Sequence, residues 1–232
     1  MEQDCPSPQV VVFDLDETLI HTLHVSEWEY LSTFFQDPKY GALIRSNSFR
    51  FTITDALDSD IPGYGGTYSS CGVIRPGARD LLKYCFNRFR SVVVWSAGQD
   101  AYVQRVVDHL FLGLPRPHLI LSWSDCPKEQ DGGYNKALHI LRDYQHALGH
   151  APDLSSIFIV DDRTDNFTYH NPGNGIAIPP YKPNYSPAGL TRPDSALQQL
   201  MVWFDKPEVK NAKDVRVLDK TNIFSHIQSN YV

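Results

Sequence analysis

Three short apolar runs, each followed by a polar or acidic residue, constrain the fold of this chain more than any other feature. They are Val10–Phe13 before Asp14, Ser91–Trp95 before Ser96, and Ile157–Val160 before Asp161. Continuous apolar runs of about four to six residues are typical of strands buried on both faces, as in a parallel sheet covered by helices. The runs therefore predict core strands that carry polar side chains at their carboxyl ends.

Helical periodicity occupies the segments next to these runs. Apolar residues recur at three-to-four spacing over residues 78–86, 99–111 and 135–148, which predicts a helix in each segment. Strands that alternate with helices indicate an open α/β fold, with a Rossmann-like parallel sheet flanked by helices. In such sheets ligands bind at the carboxyl ends of the strands.

Length and composition fit one globular domain. The chain has 232 residues, of which 42% are hydrophobic and 21% charged, and this is ordinary usage for such a domain. We expect the domain to span residues 1–205, with an insertion over 22–74 and a C-terminal tail over 206–232. A helical pattern over 27–35 and an alternating pattern over 48–54 predict a small lid or β-sheet in the insertion.

Charge and hydropathy exclude several classes of protein. The 21 Lys and Arg residues against 27 Asp and Glu residues give a formal net charge of −6, which argues against direct nucleic-acid binding. No apolar run approaches the roughly 18 residues of a membrane span, and the first residues do not resemble a signal peptide. We expect an intracellular protein, nuclear or cytoplasmic, which includes a viral protein in a host cell. Acids interrupt the basic residues after Lys206, so a solvated tail is expected there.

Acidic residues are concentrated after two of the predicted strands. They are Asp14, Asp16, Asp161 and Asp162. Carboxylates gathered at one edge of a sheet repel one another unless a cation lies among them, and hard oxygen ligands suit Mg²⁺. The sequence therefore predicts a magnesium site.

The residues near these acids are those that phosphate chemistry needs. A carboxylate such as Asp14 can attack phosphorus, and one such as Asp16 can give and take a proton. Alternate residues of an extended segment point the same way, so both side chains are expected on one side of the strand. A phosphate also needs neutralising donors, which Thr18, Ser96 and Lys136 can supply.

These segments resemble a known family. The run Asp14-Leu15-Asp16-Glu17-Thr18-Leu19-Ile20-His21 resembles the first motif of haloacid-dehalogenase-type phosphatases. More narrowly, it is similar to the branch of RNA polymerase II C-terminal-domain phosphatases and NLI-interacting-factor-like small phosphatases. The later motifs follow in that branch's order: Arg75-Pro76-Gly77, Ser96-Ala97-Gly98, Lys136, Asp161-Asp162-Arg163 and Asn166-Phe167. The resemblance covers residues 9–205.

The resemblance implies a two-step hydrolysis of a phosphomonoester. Asp14 would be the nucleophile that forms an aspartyl phosphate, and Asp16 would be the general acid and then the general base. Ser96 and Lys136 would hold the phosphoryl oxygens, and Thr18 would support the first loop.

The resemblance also implies the ligands of Mg²⁺. Asp14, the backbone carbonyl of Asp16 and Asp162 would hold the ion, with Asp161 in direct or water-mediated contact.

The expected substrate is a phosphoserine or phosphothreonine in a protein or peptide, with the RNA polymerase II C-terminal domain among the candidates, and the expected state is a monomer or homodimer. One segment departs from the small phosphatases, which carry Arg-Glu-Ser-Cys where this chain has Trp123-Ser124-Asp125-Cys126. The Arg of that stretch grips the substrate phosphate, and a Trp cannot replace a bidentate Arg contact. The preference for the polymerase tail is therefore open.

Two other functions remain open. One is a catalytically weak phosphoprotein-binding or scaffold module of the same fold, which the presence of both Asp14 and Asp16 disfavours. The other is a phosphatase for small molecules or nucleic-acid ends, which the acidic charge disfavours.

Each site residue also has a structural alternative. The first motif could be a helix cap, residues 161–163 a salt-bridged turn, and Ser96 a turn residue. Lys136 could be an exposed helix lysine, with residues 128–133 supplying another cation.

Overall fold

The computed structural model describes residues 8–56, 66–127 and 135–224. The strands are β1 (Val10–Phe13), β2 (Ile20–Leu23), β3 (Ser48–Ala56), β4 (Gly66–Ile74), β5 (Ser91–Trp95), β6 (Leu119–Leu121), β7 (Ile157–Asp161) and β8 (Gly175–Ala177). The helices are α1 (Val25–Ser32), α2 (Gly41–Ser46), α3 (Ala78–Arg88), α4 (Asp100–Leu110), α5 (Gln145–Leu148), α6 (Asp165–Thr168), α7 (Ser195–Phe204) and α8 (Pro207–Lys210).

The main sheet has five parallel strands in the order β6-β5-β1-β7-β8. Val10–Phe13 pairs with Ser91–Val94 on one side and with Ile157–Val160 on the other, so β1 is the central strand. The residues of β1, β5 and β7 are all buried. The predicted α/β fold with a parallel sheet between helices is confirmed.

Side chains of the central strand pack alternately on two apolar layers. Val11 and Phe13 belong to the layer with α3, α4 and α7, whereas Val10 and Val12 belong to the layer with residues 138–148. This alternation is the two-residue period of an extended strand. It places Asp14, which follows Phe13, on the side of the second layer.

That second layer corrects one sequence prediction, a continuous helix over residues 135–148. The structure has a 3₁₀ helix over Leu138–Arg142 and then the short α5. The side chain of Asn171 competes with helical hydrogen bonds at the start of the segment. It donates to the carbonyl of Lys136 at 2.7 Å and accepts from the amide of Leu138 at 3.3 Å. These bonds hold the backbone near Lys136 outside a helix.

A second sheet is formed within the segment from β2 to β4. It is antiparallel, with the strand order β2-β4-β3. The helix predicted over 27–35 is α1 with a 3₁₀ turn to Gln36, and the strand predicted over 48–54 is β3. The rings of Phe51 and His109 stack with centroids 5.9 Å apart, so this sheet packs on α4.

The described part of the expected tail, residues 206–224, packs on the main domain. Val209, Val215 and Ile223 are buried in the layer of α3 and α7. Lys220 Nζ donates to the carbonyls of Gly173 at 2.8 Å and Val215 at 2.6 Å. The described tail is therefore packed on the domain through its apolar residues, whereas its basic residues Lys206, Lys210, Lys213 and Arg216 are exposed, as a solvated tail requires. Residues 225–232 lie outside the described part. Within the described ranges, the helices are too short or too polar to span a bilayer.

Candidate active site

The register of the main sheet brings polar side chains from three strands to one edge. Phe13 pairs with Val94 and with Val160. The next residues along β1 and β7, Asp14 and Asp161, therefore lie level with each other at the carboxyl edge. Ser96 follows β5 at the same edge.

A buried lysine joins the two aspartates. Lys136 Nζ lies 2.5 Å from Asp14 Oδ1 and 2.7 Å from Asp161 Oδ2. Lys136 is 1% exposed and Asp161 is fully buried. The reading of Lys136 as an exposed helix lysine is excluded, and residues 128–133, the other proposed source of a cation, lie outside the described part. We call Asp14, Asp161, Asp162 and Lys136 the charged cluster.

The charged cluster holds more negative charge than its lysine balances. Burial raises the pKa of Asp14 to about 8. Repulsion by Asp161 and Asp16 adds to the effect of burial, and together they outweigh the attraction by Lys136. Burial alone would lower the pKa of Lys136, but Asp14 and Asp161 together raise it above its usual value. An ionised Asp14 therefore needs a further cation beside it.

Asp161 is fixed by donors on three sides. Asn166 Nδ2 lies 3.1 Å and 3.0 Å from its two carboxylate oxygens, and the amide of Arg163 donates to Oδ1 at 2.9 Å. The carbonyl of Asn166 also accepts from the amide of Lys136 at 3.2 Å. A salt-bridged turn within residues 161–163 does not describe this segment, because Arg163 forms its ion pair with the exposed Asp165.

Three members of the charged cluster are suited to a metal ion. One carboxylate oxygen each from Asp14, Asp161 and Asp162 lies within 4.8 Å of the others. Burial and the nearby Asp161 raise the pKa of Asp162. With all groups ionised, three carboxylates and one ammonium leave the charge of one divalent cation to be supplied. An all-oxygen donor set of this kind fits Mg²⁺.

The loop after β1 has an unusual backbone. Glu17 has a φ of +58°, a left-handed conformation that costs roughly 1–2 kcal/mol for a residue with a side chain. The carbonyl of Glu17 accepts from the amide of Tyr181 at 2.6 Å, and its carboxylate oxygens lie 2.7 Å and 2.9 Å from His21 Nδ1. These contacts hold the turn that sends the chain back past Asp14.

Arg75 and Thr18 support the same loop. Buried Arg75 donates to the carbonyl of Thr18 at 3.0 Å and to Asp194 Oδ1 at 3.1 Å. Thr18 Oγ1 accepts from the amide of Asp162 at 3.1 Å and lies 3.4 Å from Asp162 Oδ1. Thr18 thus joins the first loop to the loop after β7.

Asp16 lies in a different environment, among hydroxyl groups. Its Oδ1 accepts from Tyr102 at 2.5 Å and from Thr22 at 3.1 Å, and its Oδ2 lies 3.5 Å from Ser96 Oγ. We call Asp16, Thr22, Ser96 and Tyr102 the hydroxyl cluster. Asp14 and Asp16 therefore have separate partners although one residue separates them.

Ser96 and Trp123 mark the side of the site next to β5. Ser96 is 1% exposed, and its Oγ accepts from the amide of Gly98 at 3.0 Å. The carbonyl of Gly98 accepts from the amide of Trp123 at 3.0 Å, and Trp123 is 37% exposed. Trp123 thus lies beside the loop that carries Ser96.

The residues singled out from sequence fall into these two clusters, except Thr18, which bonds Asp162 from outside them. Two members of the hydroxyl cluster, Thr22 and Tyr102, are not among the residues singled out. The apolar period over 99–111 places Tyr102 on the core-facing side of its helix, and Thr22 falls at the start of the expected insertion over 22–74. A tyrosine on an otherwise aliphatic helix face was the available signal, because a buried phenol usually needs a hydrogen-bond partner.

Comparison with known proteins gives a family match for most of the chain. The profile of the family described as NLI interacting factor-like phosphatase matches residues 9–216. A search of curated proteins finds no match.

Two solved structures share the fold. One is a variant of the fission yeast RNA polymerase II CTD phosphatase Fcp1 bound to beryllium fluoride, with a TM-score of 0.52 and 21% identity over 75% of this chain and 42% of that one. The other is Fcp1, an essential RNA polymerase II CTD phosphatase, with a TM-score of 0.54 and 18% identity over 91% of this chain and 58% of that one. This chain therefore spans about half the length of the structures it matches.

Proposed function

Because this chain belongs to the family of NLI interacting factor-like phosphatases, we propose that it is a Mg²⁺-dependent phosphatase of phosphoserine and phosphothreonine in proteins. The observation that carries the proposal is the buried Lys136 between Asp14 and Asp161, at the edge of a parallel sheet where ligands bind.

In the first step an oxygen of Asp14 attacks the phosphorus of the ester. The new bond joins phosphorus to Asp14, and the bond from phosphorus to the serine or threonine oxygen breaks. That oxygen takes the electron pair of the broken bond and a proton from Asp16. Lys136 offsets negative charge beside the reacting oxygens.

In the second step water replaces Asp14 on phosphorus. Asp16, now ionised, takes a proton from the water as its oxygen attacks. The bond from phosphorus to Asp14 breaks, and the products are inorganic phosphate and the carboxylate of Asp14. Asp16 ends the cycle protonated, as it began.

The residues that would hold Mg²⁺ are Asp14, the backbone carbonyl of Asp16, and Asp162, with Asp161 next to them. When bound, the ion supplies positive charge against the phosphate oxygens and keeps Asp14 ionised. Thr18 supports this set because it bonds the amide of Asp162.

A protein substrate is proposed for three reasons. The formal charge of −6 disfavours polyanionic nucleic acid, and the matched Fcp1 structures belong to a phosphatase of a protein tail. Exposed Trp123 lies at the side of the site. Its ring is better suited to pack against an extended peptide than to bind a second phosphate group. Whether that peptide is a polymerase tail is part of the test.

A substrate panel with Mg²⁺ tests the proposal. We expect turnover of p-nitrophenyl phosphate and of phosphoserine and phosphothreonine peptides, and loss of both on chelation of Mg²⁺. Preferred turnover of nucleotides or of phosphorylated DNA ends would replace the protein substrate with those classes. Binding of phosphopeptides without turnover would support the scaffold function instead.

A further inference from the structure

Two hydroxyl groups meet on one oxygen of Asp16. Tyr102 OH lies 2.5 Å from Asp16 Oδ1, Thr22 Oγ1 lies 3.1 Å from it, and the two hydroxyls lie 2.8 Å from each other. Tyr102 comes from α4 and Thr22 from β2. The carboxyl group of Asp16 is therefore held at a point where the main domain and the small sheet meet.

The hydrogens available at this triangle limit how it can be bonded. Each hydroxyl has one hydrogen to donate, so two hydrogens serve three oxygen–oxygen contacts. Both hydroxyls are placed to donate to Asp16 Oδ1, and either can be the donor in the contact between them. With Oδ1 as the acceptor of these bonds, a proton on Asp16 lies on Oδ2.

Oδ2 points to the side where the phosphate is expected. It lies 3.5 Å from Oγ of Ser96, one of the residues proposed to hold the phosphoryl oxygens. The two hydroxyls therefore orient Asp16 so that the oxygen carrying the proton faces the leaving group.

The elements that carry the two hydroxyls are fixed against each other. Tyr102 packs so closely on Gly98 that a Cβ at position 98 would lie 2.7 Å from its ring. The ring of Phe51, from β3, lies 6.2 Å from that of Tyr102 and 5.9 Å from that of His109. The small sheet and α4 thus hold Thr22 and Tyr102 at a set distance.

We propose that Tyr102 and Thr22 are positioning residues for Asp16 and that the small sheet, through Thr22, takes part in the protonation of the leaving oxygen. This inference rests on the proposed function and deepens it. In the step concerned, the leaving oxygen keeps the electron pair of the broken bond to phosphorus and receives the proton of Asp16 Oδ2.

The dependence on the leaving group distinguishes positioning of an acid from support of the fold. A serine alkoxide needs a proton as it leaves, whereas p-nitrophenolate leaves without one. We therefore expect Tyr102→Phe and Thr22→Val to lower kcat/KM for a phosphoserine peptide by about tenfold or more, and to change kcat/KM for p-nitrophenyl phosphate by less than about twofold. Thr22→Ser, which keeps the hydroxyl, should restore most of the peptide activity.

Tyr84→Phe is the matched control. Tyr84 OH also donates to an aspartate, Asp205, at 2.9 Å, but on α3 and outside both clusters. We expect this variant to hydrolyse both substrates as the wild type does. The double variant Tyr102→Phe with Thr22→Val should lose less than the product of the two single losses, because both hydroxyls act on one oxygen.

The outcomes separate the inference from the function on which it rests. Equal losses on the two substrates, or no loss on the peptide, in folded Tyr102→Phe and Thr22→Val proteins would overturn the positioning role alone. A wild-type protein that hydrolyses neither substrate would overturn the proposed function, and the positioning role with it. Thermal unfolding of each variant identifies those that are folded.

Discussion

The charged cluster and the hydroxyl cluster give two aspartates of one short motif opposite surroundings. Asp14 lies in a buried set of carboxylates with a single described lysine among them, whereas the partners of Asp16 are neutral hydroxyls. A carboxylate that attacks phosphorus must be ionised, and one that donates a proton must hold it first. The difference teaches that neighbours from distant parts of the chain give the two aspartates of one motif different partners, and that Asp14 needs a cation beside it to be ionised.

Removal of the Asp14 carboxylate gives the largest expected effect. Asp14→Asn should lower kcat/KM by about 10⁴-fold or more on every substrate, since no nucleophile remains. Rates on p-nitrophenyl phosphate and on a phosphoserine peptide measure it. Asp205→Asn, at an exposed aspartate that pairs with Lys210, is the control. Substantial activity in Asp14→Asn would mean that another group attacks phosphorus.

Removal of the Asp16 carboxyl should give a loss that depends on the substrate. We expect Asp16→Asn to lower kcat/KM for the phosphoserine peptide by about 10³-fold, and far less for p-nitrophenyl phosphate. Turnover of both substrates should still be slow, because the second step lacks its base. Equal losses of kcat/KM on the two substrates would contradict the role of Asp16 as the acid that protonates the leaving oxygen.

Loss of the buried lysine tests the charged cluster through stability as well as rate. Lys136→Met leaves Asp14 and Asp161 without their common partner, and breaking a buried pair costs about 3–5 kcal/mol. We expect a corresponding loss in the free energy of unfolding by urea, and a rate lower by about 10²-fold. Mg²⁺ should recover part of the stability. An unchanged free energy of unfolding would show that Lys136 does not compensate buried negative charge in the folded protein.

The smallest expected effect is the response of stability to pH and Mg²⁺. The pKa of Asp14 is raised to about 8, so the metal-free folded protein keeps a proton that the unfolded chain releases. Its stability should therefore fall as pH rises from about 4 to about 8. Mg²⁺ replaces that proton and stabilises the fold by about 2.7 kcal/mol at about 100 times its Kd.

The increase in Tm caused by Mg²⁺ should thus grow over this pH range. Asp14→Asn and Asp162→Asn should each reduce it, and Asp14→Asn should also weaken its dependence on pH, because the raised pKa of Asp162 remains. An increase in Tm that is the same in all three proteins would place the ion elsewhere.

The charged cluster was largely predictable from sequence, because its three aspartates follow the apolar runs of buried strands. The parallel register of β1 and β7 places Asp14 and Asp161 side by side at the carboxyl edge of the sheet, independently of the loops that follow. The position of Lys136 came from the order of the family's motifs, and its backbone is set by Asn171. A helical period predicted a helix through this segment and could not show that an asparagine competes for its amides.

The hydroxyl cluster was harder to predict, because it depends on how the small sheet packs on α4. Thr22 and Tyr102 are far apart in sequence, and neither belongs to a recognised motif. Periodicity places Tyr102 on the buried face of its helix, which is correct, but it does not show which polar group the phenol meets there. That depends on the contacts of Phe51 with the helix.

Trapping the covalent intermediate tests the division of roles most directly. Asp16→Asn protein mixed with p-nitrophenyl phosphate and Mg²⁺ should release a burst of p-nitrophenolate and accumulate phosphoprotein, since the first step needs no acid and the second lacks its base. Borohydride reduces an aspartyl phosphate to homoserine, which mass spectrometry of peptides locates. We expect homoserine at position 14. Homoserine at position 161 or 162, or a burst without any modified aspartate, would contradict it.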